Sequence, residues 1–151
     1  VVKLKPDMGI LFGTKKVDKE IINLFDGKLI NIHRGIMEKY RGLDSEFWAA
    51  LNKDFKNIGT TIHFVNTQLD KGKIIIQRRL KLKKGMKSYQ LKALTTKIAA
   101  EEIKDIILRI IHKKFLTSKK QSVGKYFSKI DKKQKEISSK NFDNFCEGLK
   151  K

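Results

Sequence analysis

The stretch MGILFGTKKVDKEIINLFDGKLINIHRG, Met8 to Gly35, sets the fold class. Two short apolar runs, Met8-Gly9-Ile10-Leu11-Phe12 and Lys28-Leu29-Ile30-Asn31-Ile32-His33, are closed by Gly13 and by Arg34-Gly35. Between them Val17, Ile21, Ile22, Leu24 and Phe25 recur at helical intervals, and Asp26-Gly27 stops the pattern. A strand, a helix and a strand in so short a span predict a parallel sheet, because the helix carries the chain back to the edge it left. Both strands then end at one edge, where ligands collect in open parallel sheets. Asn31 and His33 stand at that edge, and strand alternation sends both side chains from the same face.

Outward from this unit, Asp44 to Phe55 is amphipathic and predicts a short helix burying Phe47, Trp48, Ala50 and Leu51, with Asp44 or Ser45 capping its first turn. Thr60 to Val65 and Lys73 to Arg78 are rich in β-formers and predict neighbouring strands, joined by a loop from Asn66 to Gly72 that carries Asp70. The longest helix is expected from Ser88 to Lys114, packed on the sheet through Leu91, Leu94, Ile98, Ile103, Ile106, Ile107 and Ile110. After Thr117 the chain is rich in Lys and Ser with scattered aromatics (Tyr126, Phe127, Phe142, Phe145). That pattern predicts a loosely docked extension with a helix near Lys132 to Gly148. The chain thus reads as an α/β domain over residues 1–116 and a basic extension over 117–151, without internal repeats.

Composition bounds the class. The 151 residues include one Cys, one Pro, 40% hydrophobic and 34% charged residues, as expected of about one globular domain. No apolar run approaches the roughly 18 to 20 residues that span a bilayer, and the start at Val1 lacks the apolar core of a signal peptide, so a cytoplasmic location is the expectation. Cys146 has no partner in the chain and is expected to be a reduced thiol without a structural role. Because the chain begins on the approach to a strand and without Met, a preceding N-terminal piece is expected.

The formal charge is +19, with 15 basic against 9 acidic residues up to Leu80 and 20 against 7 beyond it. Only Arg34, Arg41, Arg78, Arg79 and Arg109 are arginine, whereas recognition of phosphate and base edges favours the guanidinium fork. A solvated basic surface is therefore favoured over steering of an anionic substrate or RNA.

Asn31, His33 and Asp70 offer an amide, an imidazole and a carboxylate. Such a set suits attack of an amine on a carbonyl: the amide donates to the developing oxyanion, the imidazole moves or stabilises a proton, and the carboxylate orients the imidazole. A histidine at a strand end is more often structural, so spacing alone carries little weight.

The ordered motifs carry more. Asn31-Ile32-His33 at a strand end, Tyr40-Arg41-Gly42 before a helix, Gly59-Thr60-Thr61-Ile62-His63 and Asp70-Lys71-Gly72 resemble the formyltransferase family, over about Lys5 to Leu80. The resemblance implies a three-layer, Rossmann-like formyltransferase fold with a long C-terminal helix, here without its first strand-helix units. It also implies transfer of a formyl group from 10-formyltetrahydrofolate to an amine, with no metal. On that resemblance Asn31 holds the formyl oxygen, His33 acts on the carbonyl and its tetrahedral intermediate, and Asp70 tunes His33. Phe12, Gly13, Thr14, Lys16 and Val17, with Asn66 and Leu69 opposite, would line the folate pocket, and Arg34, Tyr40 and Arg41 would meet the acceptor. His63 matches a recurrent family histidine and reads equally well as an interior strand residue. Where many members have Pro-Ser after the catalytic histidine and a later Pro, this chain has Arg34-Gly35 and Glu38.

Members acting on methionyl-tRNA resemble this chain but carry a further β-barrel domain, and only 35 residues follow Leu116. The segment Tyr40 to Ala49 is more similar to enzymes acting on amino sugars, so a phosphate-linked amino sugar is the expected acceptor, with no membrane partner and nucleic acid disfavoured. Other readings are a methionyl-tRNA or glycinamide ribonucleotide formyltransferase, a formyltetrahydrofolate hydrolase, and a non-catalytic basic RNA-binding module.

Overall fold

The computed structural model describes residues 6–14, 16–66, 72–112, 114, 116–120, 122 and 124–150. The apolar runs that bracket the opening stretch form β1 (Gly9–Phe12) and β2 (Leu29–His33), joined through the short helix α1 (Lys19–Asn23). They pair in parallel, Gly9 opposite Leu29 and Phe12 opposite Ile32. Asp26 and Gly27 both take positive φ, which turns the chain from α1 into β2.

The rest of the sheet runs antiparallel, and the two later strands are neighbours as expected. The strand order is β1-β2-β4-β5, and β4 (Gly59–Phe64) and β5 (Ile74–Arg79) are both antiparallel to their neighbours. The intervening β3 (Tyr40–Gly42) and α2 (Ser45–Leu51) turn the chain so that β4 runs back alongside β2. Local apolar patterning cannot encode that direction, because a strand alternates identically whichever way it runs.

One face of the sheet, carrying Ile30, Ile32 and Ile62, packs on Ala99 and Ile106 of α3 (Leu91–Ile111). Burying each large aliphatic side chain contributes about 1.5–3 kcal/mol. The Thr60 hydroxyl pins this helix by donating to the Thr95 carbonyl at 2.8 Å. Thr95 and Ala99 lie at the centre of the helix stripe, with Leu94 and Ile98 half-buried beside them, since small side chains let the helix approach the sheet closely. Phe25 covers the opposite face next to Leu29; a side chain at Gly9 would meet the Phe25 ring and Leu29 Cδ1 at 2.6–2.7 Å. The sheet thus carries α3 on one face and the turn after α1 on the other.

α2 is shorter than expected and is followed by a 3-10 turn at Phe55–Asn57. Asp44 precedes α2 in a left-handed conformation and makes no side-chain cap. Its carboxylate instead accepts from the Ile130 amide at 3.3 Å and faces Lys92 at 3.6 Å.

The segment beyond residue 117 is not loosely docked. β6 (Lys125–Phe127) pairs in parallel with β3, and Phe127 packs against Tyr40 and Trp48 with ring centroids 5.3 and 5.0 Å away. α4 (Lys132–Glu147) is capped by Asp131, which accepts from the Gln134 amide at 2.7 Å. One face of α4 is anchored by Ser138, Phe142 and Cys146, all 0% exposed. Ser138 donates to the Phe47 carbonyl at 2.8 Å, and Asn141 reaches the last carbonyls of α2, Ala50 and Leu51, at 3.3 Å. Cys146 therefore has a structural role, as part of the core that joins α2, β3 and α4.

Candidate active site

The face of the sheet opposite α3 carries the polar residues. β2 and β4 are antiparallel with Asn31 opposite His63 and His33 opposite Thr61, so the two spaced motifs interlock residue for residue. The Asn31 carboxamide nitrogen stands 3.1 Å from His63 Nε2, and His63 Nδ1 stands 2.8 Å from the Phe64 carbonyl. A carbonyl only accepts, so Nδ1 carries the proton, Nε2 accepts, and Asn31 donates to a neutral imidazole. His63 is 2% exposed, and its task is to fix the rotation of the Asn31 amide.

The same reasoning assigns His33. Its Nε2 lies 2.9 Å from the Tyr40 carbonyl and 3.2 Å from Ser45 Oγ. Nε2 therefore holds a proton, aimed mainly at the Tyr40 carbonyl. Gly35 makes this approach possible, since a Cβ there would lie 2.6 Å from both His33 Nε2 and Ser45 Cβ. Gly35 is thus required sterically for this placement of His33. Thr61, fully buried, holds the turn from the other side by donating to the Gly35 carbonyl at 2.6 Å and accepting from the Met37 amide at 3.3 Å.

These residues open into a cleft of about 780 Å³, within the usual range for small-molecule sites. Asn31, His33, Phe12, Gly13, Thr14, Lys16, Val17, Asn66 and Arg34 all line it. The Arg34 guanidinium stands 5.9 Å from the Phe12 ring centroid, which ties the turn after β2 to the end of β1. Asp70 and Leu69 lie outside the described residues. Tyr40 and Arg41 are not among the cleft-lining residues. Tyr40 sits in the core, donating its hydroxyl to Asp54 Oδ2 at 3.1 Å, and burial raises its pKa above 10.0. Its link to the site is the carbonyl that holds His33. Arg41 is buried beside it at 9% exposure.

Sequence reasoning missed Glu46, 2% exposed and also in the cleft wall, and Tyr126, brought there by β6. Burial pushes the Glu46 carboxyl pKa above its ordinary 4.5, against opposing pulls that include Arg34 and Lys92. A charged residue at the start of a short amphipathic helix reads as solvated, so no sequence signal marked it.

A mixed sheet with an amide and an imidazole at the end of β2, opening on a cleft, defines an α/β protein with a candidate small-molecule site. The family model for Formyl transferase matches residues 1–111, and the chain belongs to that family. A methionyl-tRNA formyltransferase of Borreliella afzelii is 29% identical over 149 residues, 98% of this chain and 41% of that protein. The chain thus spans about two-fifths of that relative's length. Among solved structures, a 4-N formyltransferase from Francisella tularensis is 27% identical with a TM-score of 0.71, covering 91% of this chain and 61% of its own. The formyltransferase PseJ from Anoxybacillus kamchatkensis, in complex with UDP-4,6-dideoxy-4-formamido-L-AltNAc and tetrahydrofolate, is 25% identical with a TM-score of 0.72, covering 85% and 67%.

Proposed function

We propose that this chain carries the formyl-transfer site of an enzyme that moves a formyl group from 10-formyltetrahydrofolate to the amine of a nucleotide-linked amino sugar. The observation that carries the reading is the pair Asn31 and His33 side by side in the cleft, each held in one orientation by its own partner, His63 and the Tyr40 carbonyl. The cleft suits a folate-type donor substrate: Leu11, Phe12, Val17 and Ile22 give it an apolar wall, and Asn31, His33 and Asn66 supply hydrogen-bonding groups.

The donor substrate supplies a formyl carbon bound to nitrogen and open to attack. The Asn31 amide donates to the carbonyl oxygen as negative charge develops, and a donor that does not have to reorient loses nothing at that moment. His33, with Nε2 held on Tyr40, stabilises that charge as imidazolium or passes a proton to the leaving nitrogen. Asp70 is proposed to favour the charged form of His33, as the family resemblance implies.

The likeness to PseJ, whose complex contains a UDP-linked formamido sugar, supports an amino-sugar acceptor. Methionyl-tRNA is the second reading, favoured by the match of 98% of this chain to a methionyl-tRNA formyltransferase. Calorimetry with 5-formyltetrahydrofolate, a stable analogue, tests the donor half, and saturable binding is expected. Radiolabelled formyl transfer in parallel to a UDP-linked 4-amino-4,6-dideoxy sugar and to methionyl-tRNA tests the acceptor half. Absence of folate binding would overturn the reading, and efficient tRNA formylation with an inert amino sugar would replace the acceptor.

A further inference from the structure

We propose that Glu46 receives the acceptor amine, binding it as the ammonium ion and taking the proton that must leave before the nitrogen attacks. The inference rests on the formyl-transfer reading and assigns it a residue on the amine side. Glu46 lies in the wall of the same cleft as Asn31, His33 and Arg34, and is 2% exposed. Its Oε1 is buried without a hydrogen-bond partner. Among the described residues no Lys, Arg or His forms an ion pair with its carboxylate. A buried carboxyl oxygen without a partner costs stability, and a ligand cation at contact distance would supply the missing one.

The surroundings say what kind of partner. The charged groups that act on Glu46 are Arg34 on the turn after β2, Lys92 on α3 and Asp44 on the turn before α2. A hydrogen bond from its own backbone N–H and the two cations favour the carboxylate, and desolvation outweighs them. One further cation at contact distance would restore the charged form. The acceptor brings one, because amines are mostly ammonium ions near neutral pH. Ser45, the preceding residue, contacts His33 through Oγ at 3.2 Å, so the first turn of α2 meets the carbonyl-side group while Glu46 lines the same cleft.

The proton balance closes with these groups. The ammonium R–NH3+ gives one proton to the Glu46 carboxylate and becomes R–NH2. Its lone pair forms the bond to the formyl carbon, and the bond from that carbon to the donor nitrogen breaks. A second proton passes from the former amine to the leaving nitrogen, the third stays on the formamide, and the Glu46 proton goes to solvent when product leaves.

The test uses Glu46→Gln, with Glu46→Leu as a second variant, and the UDP-linked 4-amino-4,6-dideoxy sugar and methionyl-tRNA as acceptors. Glu46→Gln is expected to bind 5-formyltetrahydrofolate as the wild type does and to melt no lower. Its KM for the amine acceptor should rise roughly 30-fold or more, the effect of removing one member of a buried charge pair. Its rate should recover as pH rises through the acceptor's own pKa, since the solvent then removes the proton. An unchanged acceptor KM and pH profile in Glu46→Gln, with transfer intact in the wild type, would overturn the role of Glu46 alone. Loss of stability and folate binding in both variants would make Glu46 a structural residue and overturn it equally. A wild type that neither binds folate nor transfers formyl would overturn the formyl-transfer reading, and this proposal with it.

Discussion

The Asn31 carboxamide and the His63 ring meet across β2 and β4, Nδ2 to Nε2 at 3.1 Å, and this contact joins two sequence motifs 32 residues apart into one device. His63 is buried within the sheet and stands against the Asn31 side chain. With its Nδ1 proton committed to the Phe64 carbonyl, it presents a fixed acceptor to the Asn31 amide.

Asn31→Ala is therefore expected to lower kcat by roughly 10²–10³-fold with folate affinity near the wild-type value, as for loss of one oxyanion donor. His63→Ala should produce a smaller fall in kcat, because Asn31 remains but turns more freely. It should also cost about 1–3 kcal/mol of stability, because a buried carbonyl loses its donor. Single-turnover transfer and denaturant unfolding of both variants measure the two effects. A His63→Ala enzyme with unchanged rate per folded molecule would show that the orientation of Asn31 is set elsewhere.

Gly35→Ala should act through His33. The added methyl would lie 2.6 Å from His33 Nε2, so the ring must leave the Tyr40 carbonyl and Ser45 or the turn must open. We expect kcat to fall more than tenfold with folate binding retained, in keeping with the rate cost of about 1 Å of misplacement. Pairing it with Ser45→Gly, which removes the Cβ on the other side of the gap, should restore part of the loss, and a double-mutant cycle reads the coupling.

The pH dependence of stability should carry the mark of Glu46. Its folded pKa is raised above 4.5, chiefly by burial, so over the interval above 4.5 the folded protein holds a proton that the unfolded chain gives up. Stability then falls as pH rises from about 4.5 through the folded value and levels off beyond it. Glu46→Gln has no such proton, and the stability gap in its favour should widen over that interval. Urea unfolding of both proteins from pH 4 to pH 8 tests this, and parallel curves would mean that Glu46 titrates as an ordinary exposed carboxylate.

How far the sequence exposed these features differs by residue. Asn31 and His33 were legible because a period of two puts them on one face, and His63 because a motif needs only order along the chain. The parallel pairing of β1 with β2 followed from the helix between them, whereas the reversed direction of β4 depends on how residues 34–58 pack. Glu46 stayed hidden because its burial depends on elements far along the chain, with Tyr126 of β6 in the same cleft wall. Asp44 looked like a helix cap, but its carboxylate is used by Ile130, 86 residues away.

The C-terminal helix gives the last expectation. Its inward stripe is Ser138, Phe142 and Cys146, one large apolar side chain among small or polar ones, so the sequence marks a helix there without marking it as core. The packing is nevertheless that of a core. Phe142 is 0% exposed in the cluster with Phe47, Ala50 and Leu91, and the neighbouring Phe145 stacks on Phe55 at 4.1 Å. Phe142→Ala should therefore cost about 3–5 kcal/mol, the range for emptying a buried aromatic site. An exposed extension would lose almost nothing. The loss should spread into α2, because Ser138 and Asn141 hold its carbonyls, and from α2 to the Ser45 contact with His33. Cys146 offers an internal reporter: burial raises its thiol pKa and shields it, so disulfide-exchange reagents should react slowly with the wild type and much faster with Phe142→Ala. Equal thiol reactivity in the two proteins, together with an unchanged melting temperature, would mean that α4 is not part of the cooperative core.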